Sequence, residues 1–356
     1  MTIEFWSQKS PPPICVGTGL VALDVVVHND LTADPKLWAG GSCGNVMSIL
    51  AFVGWNAYPI ARLKNDTAAE LLVSDLTRCG VRTDLIERSE SGSTPVIVEK
   101  LGISRKGTPS HKFEWTCPRC GAWLPRYRPV LERSTEALRA TMPASQVFYF
   151  DRISRSSITL AAESKAKGAL IVFEPSGMTD PKQFQECLKI ADVIKYSDQR
   201  LKGLSDITDN CAVPLEIETL GADGLRYRMK GKSARKSKWY HLAALPVPKI
   251  VDAAGAGDWC TAGLINAVGK RGTVGFQCFG REEIEEGLRF GQALAAVNCN
   301  YVGARGSIYS LSKSQFTQVV DKLLKSDKVT VTQSKRDQKH ESGYSFCSEC
   351  GETRAG

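Results

Sequence analysis

"VDAAGAGDWCTAG", residues 251–263, decides how this chain is read. A strand-like "PKIVD" runs into Ala254, Gly255, Ala256 and Gly257. Asp258 follows at once, with Trp259 and an apolar, helix-forming stretch behind it. The pattern predicts that Asp252 ends a strand, that four small residues turn the chain, and that a helix begins near Asp258. The first N–H groups of a helix have no partner inside it. Small residues let an anion reach them, and the helix dipole favours negative charge there. A carboxylate at that mouth can deprotonate an alcohol. Phosphoryl transfer needs an anion cradle, a base and an in-line hydroxyl, and this segment supplies the first two. The plainer alternative, Asp258 as a helix cap and the glycines as a turn, is left open by the fragment alone.

Outward from that segment the chain alternates strands and helices. "ICV" at 14–16 and "LDVVV" at 23–27 read as strands, "GNVMSILAFV" at 44–53 as a helix, and "AYPIARL" at 57–63 as a strand. "DTAAELLVSDLTRCGV", 66–81, is an amphipathic helix with Asp66 as its N-cap and Gly80 at its end. "TPVIVEKLG" is a strand. Residues 102–130, rich in Pro, Arg, Trp and Cys, read as an insertion. The rhythm then resumes: helix 134–142, strand 147–151, helix 158–168, strand 169–175, helix 181–191, strand 192–197 and strand 215–221. Helices at 259–270 and 282–303 complete it. Such alternation indicates an α/β fold, a doubly wound, mainly parallel sheet with helices on both faces. From about Lys325 the chain is polar and aperiodic, a linker that ends in a cysteine pair.

The 356 residues suit one large α/β domain or two smaller ones, and 42% hydrophobic residues suit an ordinary core. A formal charge of +8 fits an anionic small ligand as well as a nucleic acid. No window approaches the apolar length of a membrane span, and the start lacks a basic-then-apolar leader. A cytoplasmic protein is expected. Of twelve cysteines, eight are scattered and read as small buried hydrophobes.

Several segments together resemble the PfkB family of ATP-dependent sugar and nucleoside kinases, with the ribokinase-like fold, from about Ile14 to Leu324. "AGGSCGNV" is similar to the family's Gly-Gly signature with its later asparagine, here Gly40, Gly41 and Asn45. "GVRTDLI" and "STPVIVEKL" resemble the approach to the lid, and "ETLGADGL" the nucleotide-side loop. "VDAAGAGDWCTAG" matches the C-terminal Asp-x-x-Gly-Ala-Gly-Asp signature, the most specific of these. The resemblance implies that Asp258 is the base and that the backbone of Ala254, Gly255, Ala256 and Gly257 is an anion hole. It implies that Asp24, Gly40, Gly41 and Asn45 hold a sugar or nucleoside, and that Thr219, Gly221, Gly224 and Ala254 lie against ATP. Asp252, Ala254 and Gly306 lie where some members hold a monovalent cation. For Asp24 the plain reading is a charge exposed at a strand, for Asn45 a helix-start hydrogen bond, for "GADG" a hairpin turn.

The chain also departs from the family's pattern. Where many members carry an Asn-x-x-Glu element linked to Mg²⁺, "KYSDQR" puts Ser197 and Arg200, with Asp198 as a substitute ligand. Ala253 and Ala254 replace threonines, and Glu174 replaces an aspartate. The alternative function is therefore a catalytically weak kinase-fold sensor of a sugar or nucleotide. "GTGLVA" at 17–22 fits a dinucleotide fingerprint, but the valine-rich stretch behind it is strand, not helix. No Gly-x-x-x-x-Gly-Lys-Ser/Thr loop occurs.

"CPRCG" at 117 and "CSECG" at 347 are knuckles that each aim two sulfurs at one centre. Cys117, Cys120, Cys347 and Cys350 would complete a closed, structural Zn²⁺ site; free or redox thiols, or ligation across two chains, are the alternatives. Domain limits are read as 1–326 for the kinase unit, with the lid at about 95–130, and 327–356 for a tail folding back on the lid. Arg119, Arg126, Arg128 and His111, with Trp115, Trp123 and Tyr127, make the lid basic and aromatic. A solvated face is the plain reading; the sharper one is contact with an anionic group on the substrate or with nucleic acid. Dimerisation through the lid is a further expectation.

Overall fold

The structure is a computed structural model that describes residues 5–6, 11–28, 34–103, 109–209, 211–231, 237–247, 249–325 and 346–351. The polar stretch read as a linker lies largely outside them.

The chain opens with β1 (Ile14–Thr18), β2 (Ala22–His28) and β3 (Lys36–Gly40), then α1 (Ser42–Phe52), β4 (Asn56–Leu63), α2 (Thr67–Arg78) and β5 (Ile86–Arg88). The hairpin β6 (Val96–Ile103) and β7 (Pro109–Glu114) follows. Next come α3 (Thr135–Thr141), β8 (Val147–Phe150), α4 (Arg155–Ala166), β9 (Leu170–Phe173), α5 (Pro181–Ile190) and β10 (Val193–Ser197). Then α6 (Leu204–Thr208), β11 (Leu215–Thr219), β12 (Leu225–Met229) and β13 (Tyr240–Leu242) lead to α7 (Ala256–Val268) and α8 (Gly272–Phe276). The last elements are α9 (Arg281–Asn298), α10 (Gly306–Ser310), α11 (Lys313–Lys325) and α12 (Ser348–Gly351).

Among the described residues, nine strands form one sheet in the order β13-β12-β11-β10-β9-β8-β1-β4-β5. It is parallel from β11 through β5, and β12 and β13 add an antiparallel edge. Strand residues alternate between two cores, as a period of two demands. Cys15, Val147, Tyr149, Leu170 and Val172 face α1, α7, α9 and α11. Val16, Phe148, Phe150, Ile171 and Phe173 face α4 and α5, meeting Ile158, Phe184 and Leu188. Both faces are thus covered, which buried parallel strands require.

The helices start where their sequences say they should. Asp66 Oδ1 accepts from the Ala69 N–H at 2.9 Å, and Asp180 Oδ1 from those of Lys182 and Gln183, with Pro181 opening α5. Helix α7 crosses α9 closely: a Cβ on Gly263 would lie 2.4 Å from Gly291 Cα. Behind Asp258, Trp259 is fully buried, stacks on Phe316 at 5.2 Å, and donates from Nε1 to the Ala304 carbonyl at 2.9 Å. These contacts fix the mouth of α7.

A second sheet, β3-β2-β6-β7, stands apart as a lid. The stretch 102–130 is thus not wholly irregular, since β7 pairs antiparallel with β6. Register places Asp24 opposite Ile97, Glu99 opposite Phe113, and Leu101 opposite His111, so these side chains share one face of the lid. One expectation fails: residues 249–252 form no strand, and Asp252 lies in irregular chain. Its carboxylate accounts for this, because it accepts from the N–H groups of Ala254 at 2.9 Å and Gly303 at 2.8 Å. Side-chain bonds there take the place of a ladder.

Candidate active site and a four-cysteine centre

A cavity of about 520 Å³ lies between the lid and the ends of the parallel strands. Its lining brings together Asp24, Gly41, Asn45, Thr219, Ala254, Gly255, Ala256, Gly257 and Asp258, residues spread over more than two hundred positions of sequence. Open parallel sheets offer such a crevice at their carboxyl ends. Gly40 lies beneath Asp24, where a Cβ would strike the Asp24 carboxylate. Gly221 and Gly224 fall outside the lining; they form the turn between β11 and β12, and Gly224 packs against the backbone of residues 242–244. Gly306 begins α10, away from the lining.

Helix α7 starts at Ala256, two residues before Asp258, with Gly255 in the left-handed region at φ 72° as its N-cap. A side chain at Gly255 would also meet the Ala304 carbonyl oxygen at 2.4 Å, so this turn accepts glycine alone. Gly257 lines the cavity, and a Cβ there would make ordinary contact with Lys195 Nζ at 3.6 Å and Glu174 Oε1 at 3.9 Å. The missing side chain leaves room for a phosphate-sized group beside a cation and a helix N-terminus.

Asp258 Oδ2 accepts from Asn45 Nδ2 at 2.8 Å, so α1 and α7 meet at the reacting centre. Burial and the nearby Glu174 charge push the Asp258 carboxyl up to about 7, against the pull of Asn45, Lys195 and Arg200. Glu174 is fully engaged. Oε1 takes Lys195 Nζ at 2.5 Å, and Oε2 takes Thr261 Oγ1 at 2.6 Å and the Tyr149 hydroxyl at 3.3 Å. Burial works against the Lys195 ammonium, but Glu174 more than compensates and holds its pKa above the ordinary value. Arg200, an exposed residue, lines the same cavity where an acid was the family's pattern.

Asp24 is not an exposed charge. Burial pushes its carboxyl up to about 7, against the pull of Arg305 and the Gly41 N–H. Arg305, almost wholly buried, is tied to Asp75 at 3.0 Å and to the Ala39 carbonyl, and so props β3 and its Gly40 end. Glu99 is not placed at the site by sequence, and His111 reads there as part of the basic lid, in a solvated face or in contact with an anionic group or nucleic acid. Both line the cavity with Ile97, Phe113 and Trp115. Strand alternation in β6 and β7 was the signal that would have put them on one face.

The nucleotide's counter-ion is a separate question. Glu174, the carboxylate whose charge bears on Asp258, has both oxygens occupied by protein donors. Asp198 carries a buried Oδ1 with no partner but does not line the cavity. Neither Glu174 nor Asp198 therefore presents a free carboxylate oxygen to the cavity.

The two cysteine pairs do meet. Cys117 Sγ lies 3.9 Å from Cys350 Sγ, Cys120 Sγ lies 3.7 Å from Cys347 Sγ, and all four sulfurs fall within 4.8 Å of one another. A tetrahedron with Zn–S of about 2.3 Å has edges of about 3.8 Å, which these separations match. The Cys117 N–H donates to the Ala122 carbonyl at 2.8 Å, and the Gly121 N–H to that of Cys117 at 2.9 Å. Phe346 and Cys347 are buried, with Leu124 and Cys117, in the main core, so the tail end docks on the lid's root. Arg126 covers the Trp123 ring at 4.7 Å, on a face a nucleic-acid base would otherwise stack against.

Residues 151–311 match the model of the pfkB family carbohydrate kinases. A fructokinase of Escherichia coli is 25% identical over 264 residues, 65% of this chain and 78% of that protein. Among solved structures, a fructokinase of Xylella fastidiosa with bound ATP superposes with a TM-score of 0.68 at 18% identity, covering 87% of this chain and 99% of the other. A ribokinase of Arabidopsis thaliana with ribose and ATP gives 0.63 at 20% identity, with the same coverage. The fold is therefore ribokinase-like. Among the described residues no helix is long and apolar enough to cross a membrane.

Proposed function

We propose, for this PfkB-type carbohydrate or nucleoside kinase, that Asp258 takes the proton of an acceptor hydroxyl while the γ-phosphoryl of ATP is transferred to that oxygen. The observation that carries the reading is the half-buried Asp258 carboxylate that lines the cavity at the first turn of α7, held by Asn45 at 2.8 Å. A base poised near the working pH combines a large deprotonated fraction with useful basicity.

The steps follow from this chain's own groups. Asp24, Gly41 and Asn45 hold the acceptor. Asn45 keeps Asp258 Oδ2 in place through its 2.8 Å bond, so the other oxygen is left to receive the proton. The backbone of Ala254, Gly255, Ala256 and Gly257, at the positive end of α7, meets the charge on the moving phosphoryl. Lys195 and Arg200 add fixed cations on the same side. Thr219, with Gly221 and Gly224 shaping its turn, borders the nucleotide. ATP supplies the phosphoryl group, and its Mg²⁺ would enter as the nucleotide's counter-ion. The lid, about 95–130, excludes water from the reaction. Asp252 spends its oxygens on Ala254 and Gly303, which supports a turn-fixing role over holding a monovalent cation.

Cys117, Cys120, Cys347 and Cys350 are assigned to one structural Zn²⁺ that staples the tail, 327–356, to the lid of the kinase unit, 1–326. The exposed Ile103 and Trp123 mark where a second copy would dock on the lid.

The test is ADP release across a panel of pentoses, hexoses and nucleosides, with wild type and Asp258→Asn. Turnover by wild type alone supports the reading. A sugar that shifts the melting temperature but is never phosphorylated would replace it with the sensor, the reading that Arg200 at the magnesium-linked position favours.

A further inference from the structure

Asp252 stands between the lid and the turn that opens α7, and it is held from both sides. On the turn side, Oδ1 accepts from the Ala254 N–H at 2.9 Å and Oδ2 from the Gly303 N–H at 2.8 Å. Both donors frame the phosphoryl cradle. Ala254 begins it, and the Ala304 carbonyl, next to Gly303, lies against Gly255 and takes the Trp259 Nε1 hydrogen. On the lid side, His111 of β7 brings Nδ1 to 3.2 Å from Oδ1, and it can donate from there with the ring neutral or charged. Glu99 of β6 hydrogen-bonds the same carboxylate. Burial, with the charges of Asp252 and Asp24, pushes the Glu99 carboxyl up to about 9, so it is neutral near pH 7 and its proton serves Asp252. Burial alone would raise the Asp252 carboxyl, but His111, Ala254 and Gly303 hold it below the ordinary range.

Two strands of the lid thus lend donors to one ionised group of the body. The Asp252 side chain is 0% exposed and that of His111 29% exposed, which says which half can leave. Without the lid, a buried carboxylate keeps its two backbone bonds and must find water for the rest. His111 and the Ala254 N–H share Oδ1, so a carboxylate that turns to follow water also turns from Ala254. Resting on the kinase reading above, we propose that Glu99 and His111 are positioning residues: with the lid shut they hold Asp252, and through it Ala254 and Gly303, in the arrangement that aims the cradle's N–H groups at the moving phosphoryl. The cradle is then complete only under a closed lid, where water is already excluded, and ATP is not hydrolysed beforehand.

The test is a double-mutant cycle between lid and body, His111→Phe against Asp252→Asn. It is read by steady-state kinetics and by hydrogen–deuterium exchange of the full chain, free and with ADP and D-fructose added. His111→Phe removes the Nδ1 donor and keeps a ring for Phe113, whose centroid lies 5.1 Å away. It should lower kcat roughly 10- to 100-fold, as misplaced reacting groups do. The KM for ATP should stay within about threefold, because the cradle meets charge that develops only in transfer. Both changes break one link, so the double variant should lose no more than about threefold beyond the less active single one. Exchange should report the link in both directions: faster at residues 253–258 in His111→Phe, a change on the lid, and faster at 109–114 in Asp252→Asn, a change in the body. His111→Asn, which can donate from near the Nδ1 position, and Glu99→Gln, which keeps a neutral donor, should recover most of what His111→Phe and Glu99→Leu lose. These pairs carry the comparison if Asp252→Asn does not fold. Additive losses in the cycle, or faster exchange spread evenly through the chain, overturn the proposal. So does a Glu99→Gln variant as impaired as Glu99→Leu, which would make that carboxyl a charged group. Reciprocal exchange effects without turnover on any sugar would sink the kinase reading and leave the link standing.

Discussion

Asn45 and Asp258, 213 positions apart in sequence, are joined by a 2.8 Å hydrogen bond from the Asn45 amide to Asp258 Oδ2. The bond fixes the carboxylate's rotation and lowers its pKa against burial and Glu174, which raise it. Asp258→Asn keeps the shape and removes the base. We expect kcat to fall at least roughly 100-fold with acceptor binding retained; steady-state kinetics with calorimetric binding checks this, and near-normal kcat would remove Asp258 from the mechanism.

The pH dependence follows with a definite sign. Asp258 must be deprotonated to accept a proton, and its carboxyl lies at about 7. The rate should fall as pH drops below about 7, tenfold per unit. Asn45→Ala removes a bond that favours the charged form, so the limb moves to higher pH. A profile limb at ordinary carboxylate values would contradict the buried environment described for this group.

Arg200 gives a second electrostatic prediction. It adds a positive charge on the Asp258 side of the cavity. Arg200→Ala should raise the KM for ATP and lower kcat by roughly tenfold, while Arg200→Lys recovers most of the loss. An alanine variant with unchanged ATP kinetics would make this residue a bystander.

Metal analysis of the purified chain should give about one zinc per molecule. Cys347→Ser, or a strong chelator, should lower the melting temperature by roughly 5 °C or more, because metal binding is folding free energy. The proposal fails if fully stable protein contains no metal.

Asp75 and Arg305 form a buried pair that also involves Tyr309 and the Ala39 N–H. Burial alone would raise the Asp75 carboxyl, but Arg305, Tyr309, Ala39 and Arg78 bring it below the ordinary value. The stabilisation is therefore present above the unfolded carboxylate pKa and lost as pH falls through the lower folded one. Asp75→Asn leaves the Arg305 charge buried without a counter-charge and should cost about 3–5 kcal/mol, read by urea unfolding at neutral pH.

The sequence made legible whatever depends on local pattern. The cap at Asp66, the alternation through β8 to β11, and the small-residue turn before Asp258 all register in the chain itself. The Cys-x-x-Cys pairs announced their partnership because two sulfurs at that spacing leave a tetrahedron half made. What stayed hidden depends on distant parts meeting. The Asp252 stretch looks like a strand, but its carboxylate finds two backbone N–H groups that no local pattern announces. The common face of Glu99 and His111 stays hidden because 102–130 reads as an insertion, and without β7 there is no partner strand to place His111 opposite β6. Lys195 reads as a strand residue, and only the fold brings Glu174 to it.

The position of β1 bears on how the molecule is assembled. The first strand of the chain is an inner strand of the large sheet, hydrogen-bonded to β4 on one side and β8 on the other. A nascent chain therefore carries an open seam along Cys15–Thr18 until residues 147–150 emerge, with the lid strands made in between. Non-local parallel pairing of this kind is slow, and unpaired edges invite aggregation. Refolding should be limited by the β1–β8 closure, so Val16→Ala, on that seam, should slow the folding limb of a chevron more than it speeds unfolding.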